Sequence, residues 1–189
     1  MISALEYAIA NFGSVATLVA TTPDQNFTPA SAWFDLDTES AHSASASRII
    51  LRSDLARPRF VANIAVQYFS FEDADAIRLG DLDTTLDIGA LPASTILSHD
   101  LDLDGYMCID EGTYAADGHD LRVRRVQVAF RTPADGKSAL SIFTGTTTVD
   151  QCVDISQEII EMEERWLKKT IQTSGGNQRH TSPEDWQCG

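Results

Sequence analysis

Lysine and cysteine are scarce in this sequence, and long apolar runs are absent. Only Lys137, Lys168 and Lys169 carry ammonium groups, and 14 basic residues face 28 acidic ones, for a formal charge of -14. So acidic a chain is not expected to bind nucleic acid through general basicity. Three cysteines, Cys108, Cys152 and Cys188, are too few and too scattered for a disulfide framework or a zinc knuckle, and an odd count leaves room for pairing between chains. No apolar run is long enough to predict a transmembrane helix, so no membrane partner is expected. No basic start followed by an apolar core predicts a signal peptide. Phosphate loops, dinucleotide fingerprints, Gly-x-Ser-x-Gly elbows and His-Glu-x-x-His pairs are also missing. The four histidines, His42, His99, His119 and His180, stand alone in loop-like contexts. With no motif that assembles catalytic geometry, the chain is read as a non-enzyme.

What is present reads as one domain of 189 residues, 43% of them hydrophobic. The clearest stretch runs from Arg48 to Phe69. Arg48–Leu55 and Arg59–Phe69 are predicted as paired strands, with a turn at Ala56, Arg57 and Pro58, since proline cannot donate to a ladder and restricts its predecessor. Phe60, Ala62, Ile64, Val66 and Tyr68 alternate with Val61, Asn63, Ala65, Gln67 and Phe69, which gives one core-facing side and one carrying amides. Further strands are predicted over Ser14–Ala20, Phe27–Asp37 and Leu121–Thr132, where Val126, Val128 and Phe130 alternate with polar residues. Ala139–Val149 is β-like. Met1–Phe12 reads as a short amphipathic helix or a strand-like arm. Asp150–Gln172 reads as a helix, with Cys152, Ile155, Ile159, Met162 and Trp166 on one stripe. Thr148 and Gln151 have capping-box spacing at its start. Residues 173–189 are polar and read as a flexible tail.

The charge is concentrated. Between Phe71 and Leu121 lie 13 of the 28 acidic residues and a single base, Arg78, so the rest of the chain is nearly neutral. This segment shows no sustained period and reads as an acidic insertion, residues 71–120, before the last strands: an excursion with short strands of its own, not a second domain. Within it, Asp100, Asp102, Asp104, Gly105, Tyr106 and Glu111 match the spacing of a calcium loop. Carboxylates on alternate residues can converge on a hard cation, glycine permits the sharp turn, and Glu111 can close the shell with two oxygens. The same residues also read as a solvated acidic strand, since Leu101 and Leu103 alternate with the acids and Gly112 interrupts any following helix. No motif requires a cofactor, and Ca2+ is the one candidate ion.

Arginines and amides form a second set: Arg48 and Arg52, Asn63 and Gln67, then Arg125, Gln127 and Arg131. If their strands share a sheet in matching orientation, they make one polar, locally basic face able to meet phosphate oxygens and unpaired bases. A solvated face neutralised by nearby acids is the alternative.

The order of elements resembles the coat proteins of single-stranded RNA bacteriophages. Residues Ala20–Ser31 resemble the family's first hairpin. Arg48–Leu55 and Arg59–Phe69 resemble its central strands, Arg124–Pro133 its last strand, and the helix after Asp150 its C-terminal helix. The likeness covers residues 14–70 and 121–172, while the segment between them is longer and more acidic than the family's loop. The resemblance implies an α+β fold: an N-terminal β-hairpin, an antiparallel meander sheet, and a C-terminal helix packing on the partner subunit of a dimer. The coat-like domain would span residues 1–172. Ile155, Ile159, Met162 and Trp166 would be the dimer interface. Arg48, Arg52, Asn63, Gln67, Arg125, Gln127 and Arg131 would face single-stranded RNA. The implied function is a virion shell of icosahedral form, assembled from dimers in the host cytoplasm; the alternative is an acidic calcium-dependent binding module. In a shell, copies of the acidic segment would meet, and a disulfide through Cys108 or Ca2+ at Asp100, Asp102, Asp104 and Glu111 would relieve their repulsion.

Overall fold

The computed structural model describes residues 5–6, 9–10, 16–21, 25–53, 60–71 and 77–174. Eight strands form one antiparallel sheet: β1 (Thr17–Leu18), β2 (Trp33–Asp35), β3 (Arg48–Arg52), β4 (Asn63–Phe71), β5 (Thr95–Asp102), β6 (Met107–Ala116), β7 (His119–Arg131) and β8 (Ser138–Thr148). Helices α1 (Thr38–Ser43), α2 (Leu86–Gly89) and α3 (Cys152–Thr173) accompany them. The strand order is β2-β3-β4-β8-β7-β6-β5, with β1 pairing on β4 where β3 leaves it free. The architecture is therefore α+β, an antiparallel sheet followed by a C-terminal helix.

Pairing is longest in the middle. β4 and β8 run in register from Asn63 opposite Thr146 to Phe71 opposite Ser138, and β7 and β8 from Leu121 opposite Thr148 to Arg131 opposite Ser138. Because side chains alternate across a strand, these registers fix two faces. On the first, Ile50, Ile64, Val66, Tyr68, Val126, Val128 and Phe143 pack against Ile155, Ile159, Met162 and Trp166 of α3. On the second, Phe69, Phe71, Cys108, Ala129, Leu140 and Ile142 pack with Ile77, Leu79 and Leu5. Each fully buried side chain of this kind contributes about 1.5–3 kcal/mol. The helix lies close to the sheet at Gly145, where a Cβ would come within 2.5 Å of Ile159 Cγ2. Phe143 and Trp166 stack obliquely there, their ring centroids 5.4 Å apart.

Ile64, Val66 and Tyr68 do form the core side of β4, and the stripe of α3 is buried, both as the alternation and the helical spacing indicate. The Thr148 hydroxyl accepts from Gln151 N at 3.3 Å and donates to its side chain at 3.2 Å, so the expected pairing precedes α3. Residues 71–120, read as an excursion with short strands of its own, hold β5, β6 and the start of β7, which extend the same sheet. Two features differ from the sequence reading. The expected first hairpin does not form, because β1 pairs with β4 and β2 with β3. And the stripe Ile155, Ile159, Met162 and Trp166, expected to seal a dimer, is covered by the chain's own sheet. Residues 54–59, containing the predicted Pro58 turn, and 175–189, most of the predicted tail, lie outside the described residues.

Candidate interaction edge

The expected RNA face divides between the two sides of the sheet. Arg48 is opposite Val66 and Arg52 opposite Trp33, so both lie on the α3 side. Asn63, Gln67, Arg125, Gln127 and Arg131 lie on the other. A register offset of one residue decides this, and the sequence does not display it. These groups also have local partners. Arg48 makes a two-point ion pair with Asp35, donates to Phe27 O at 3.0 Å and sits over the Phe27 ring. Arg52 binds Glu158, Asn63 donates to Val61 O, Gln67 to Ser45 O, and Arg131 to Gly136 O. Arg125 pairs with Asp87 at 3.1 Å, and Gln127 is fully buried. A cleft of about 400 Å³ opens beside Asn26, Phe27, Thr28, Thr38 and Arg48, but its cation is the Arg48 already held by Asp35.

The calcium-loop residues do not gather either. Glu111 is buried and takes hydrogen bonds from Arg122 at 3.0 Å and from Arg124, which leaves its carboxylate committed. Asp102 accepts from Leu103 N at 2.7 Å, while Asp100 and Asp104 are exposed. Among the described residues no group of three or more His, Cys, Asp or Glu side chains is placed to hold a metal ion. The intermolecular disulfide suggested for Cys108 is corrected as well. Cys108 is a free, fully buried thiol, while Cys152 is disulfide-bonded.

Cys108 has polar neighbours that sequence reading missed. Its Sγ lies 3.7 Å from one oxygen of Asp110, and His99 Nδ1 lies 2.6 Å from the other. The carboxylate thus sits between thiol and imidazole. Burial, then the charge of Asp110, pushes the Cys108 thiol far above its ordinary range. The thiolate that nucleophilic chemistry requires is suppressed there.

Also missed was a buried ion network on the α3 side. Arg124 makes a two-point pair with Glu163, at 2.7 and 3.0 Å, and contacts Glu111, which Arg122 also binds. Burial pushes the Glu163 carboxyl up despite its Arg124 partner. Burial also acts to lower the Arg124 value, but Glu163 and Glu111 outweigh it, so the guanidinium is held charged. The signal was present in sequence: Arg122 and Arg124 alternate with Val123, and Glu163 falls four residues after Ile159 on the apolar stripe. The network ties β6 and β7 to α3 and leaves no open cation for a ligand.

Among the described residues β5 is the terminal strand of the sheet, paired with β6, and its residues are exposed or half-exposed along both faces. Four of the nine large apolar side chains exposed among the described residues belong to it or its turn: Ile96, Leu97, Leu101 and Tyr106, with Leu97 47% and Leu101 48% exposed. A bulge between Ile96 and Ser98 sets Leu97 aside from the ladder. Beyond it, His99 and Leu101 share a face with Ile96, while Ser98, Asp100 and Asp102 point to the α3 side. The strand ends in three successive left-handed residues, Leu103 (φ 53°), Asp104 (φ 55°) and Gly105 (φ 86°). Leu103 in that conformation costs on the order of 1–2 kcal/mol. Its packing against the α3-side core offsets this and anchors the end of β5.

No protein-family model and no curated protein matches this sequence. Among solved structures the chain is similar to LpqN of Mycobacterium tuberculosis, described as involved in cell envelope biogenesis. The TM-score is 0.57, with 15% identity over 92% of this chain and 95% of that one. A protein of unknown function, PA94 from Pseudomonas aeruginosa, aligns at 20% identity over 88% of this chain and 99% of that one, with a TM-score of 0.35. The likeness to LpqN is one of fold, and fold does not carry activity with it. Neither protein is a phage coat protein, so the coat resemblance rests on the sequence alone.

Proposed function

We propose that this protein works by binding another polypeptide along the edge of its sheet, as a non-catalytic interaction protein. The observation that carries this reading is β5. A terminal strand presents unpaired amides and carbonyls, and a long one with exposed apolar side chains is a template for a further strand. The buried charges and the thiol support the same reading, since Arg122, Arg124, Arg125, Glu111 and Glu163 are spent on internal pairs and Cys108 is protonated. Among the described residues no helix is long and apolar enough to cross a membrane.

The coat-like reading is the second form of this proposal, favoured by the same open edge. There the added strand comes from a second copy, and dimers build a shell around single-stranded RNA in a virion. The seam would then lie at β5, since the α3 stripe is already covered.

The test is a selection of peptides from a random library on immobilised protein. Each enriched peptide is re-measured on a Leu101→Pro variant, which removes a ladder donor from the edge. The variant's fold is verified by circular dichroism. Light scattering of the free chain runs alongside. The reading expects enriched peptides that lose binding to the variant, or a dimer that the variant dissociates. Peptides that bind both proteins equally, or no binders and a monomer, overturn it.

A further inference from the structure

We infer that one water molecule is bound in the interior between β4, β8 and α3, held by Tyr68, Ser141, Trp166 and Thr170. The site is independent of the edge at β5. Register and helical spacing bring its four side chains together. Tyr68 lies directly opposite Ser141 across the β4–β8 pair, so both point to the α3 side. Trp166 and Thr170 are four residues apart on α3, which places them one above the other on its sheet-facing stripe. Helix and strand then run past each other at similar pace. Ile159 lies over Gly145, and Trp166 stacks on Phe143. From Ile159 to Thr170 the helix rises about 16 Å, and from Gly145 to Ser141 the strand covers about 13 Å, so Thr170 arrives above Ser141.

All four side chains are buried. Tyr68 Oη, Ser141 Oγ, Trp166 Nε1 and Thr170 Oγ1 are each shut off from solvent, and none has a hydrogen-bond partner among the described residues. The Trp33 indole, by contrast, donates to Glu158. Burial pushes the Tyr68 hydroxyl up, so it stays a neutral O–H. Thr170, Ser141 and Trp166 act against that shift, and then the charge of Arg48. Those three side chains are thus near the phenol oxygen without meeting it in hydrogen-bond geometry. Buried polar groups are as a rule paired, with protein or with ordered water, and a buried water takes two to four such partners. The chemistry of the set selects the ligand. The indole only donates, while each hydroxyl donates or accepts. A water can accept from the indole N–H and the phenol O–H and give its two protons to Ser141 and Thr170. The set contains no carboxylate to hold a cation. The guanidinium that acts on Tyr68, that of Arg48, is committed to Asp35 rather than to an anion.

Two measurements on the full chain test the site. The first is a high-resolution crystal structure, which should show one single-atom peak about 2.7–3.2 Å from at least three of the four polar atoms. The second is oxygen-17 relaxation dispersion in solution, which counts long-lived internal waters without interference from hydroxyl protons. The count should fall by about one in a Tyr68→Phe, Thr170→Val double variant, which takes away two of the four partners at nearly constant shape. Ser141→Ala alone takes away one partner and should leave the count unchanged. Circular dichroism verifies that each variant folds, and if the double variant does not fold, the crystal density of the parent decides. Direct hydrogen bonds among the four side chains with no density between them overturn the site. So does a count that the folded double variant leaves unchanged. Density larger than a single atom overturns water as the ligand.

Discussion

One end of the sheet is β2 and the other is β5, and they treat the same physical problem in opposite ways. β2 has three residues, and the chain around it closes the edge. Trp33 is 6% exposed, its amide donates to Ala30 O, and its indole donates to Glu158 at 2.6 Å. Arg52 reaches the same carboxylate from β3, Arg165 of α3 holds Thr28 O at 3.1 Å, and Phe27 is buried in the α3-side core. Only Phe34 is left as an exposed large apolar group on that strand. β5 has eight residues, is exposed on both faces and displays three such groups. Edge strands are ordinarily shortened, covered or charged, because bare ladders recruit other chains. Here one edge is shortened and covered. The other is only bulged, which leaves room for a further strand.

The largest expected effect is on the closed edge. Trp33→Ala removes a buried indole and should cost about 3–5 kcal/mol by urea denaturation. A loss below about 1 kcal/mol would mean that this edge is not braced as described. Gly112→Ala sharpens the contrast from the other side. Its Cβ would stand 2.7 Å from Ile88 Cγ2 and 2.8 Å from Thr95 O, between β6, α2 and the first residue of β5. It should cost about 1–3 kcal/mol through overpacking and weaken binding of the enriched peptides, whereas unchanged affinity would detach the site from β5. Glu158→Ala leaves Trp33 Nε1 without its acceptor and removes one contact of Arg52, for about 1–2 kcal/mol, and should leave peptide binding untouched. The smallest effect belongs to Leu97→Ser, outside the ladder and half-exposed. Its stability should stay within about 1 kcal/mol of the parent.

The parts of the fold legible in the sequence are those where one face is buried and the other is not. Ile64, Val66 and Tyr68 on β4, Val126, Val128 and Phe130 on β7, and the stripe of α3 all show their period directly. β5 does not, because a strand exposed on both faces carries no alternating burial to read. Asp100 and Asp102 matched a calcium loop there, and the alternation of Leu101 and Leu103 with them was the better guide. The placement of Arg48 and Arg52 was out of reach for another reason. Which face a residue takes depends on the pairing register, and Arg48 opposite Val66 rather than Gln67 moves it to the helix side. The roles of Glu111 and Glu163 required both the register and the docking of α3, since each meets Arg124 from a different element.

The difference between the two edges is tested most directly by amide hydrogen exchange on the full chain, with and without a saturating enriched peptide. An added strand supplies partners only to the edge that it joins. Amides of β5 should gain about tenfold or more in protection while those of β2 are unchanged. Equal protection at both edges, or protection at β2 alone, would contradict the edge reading.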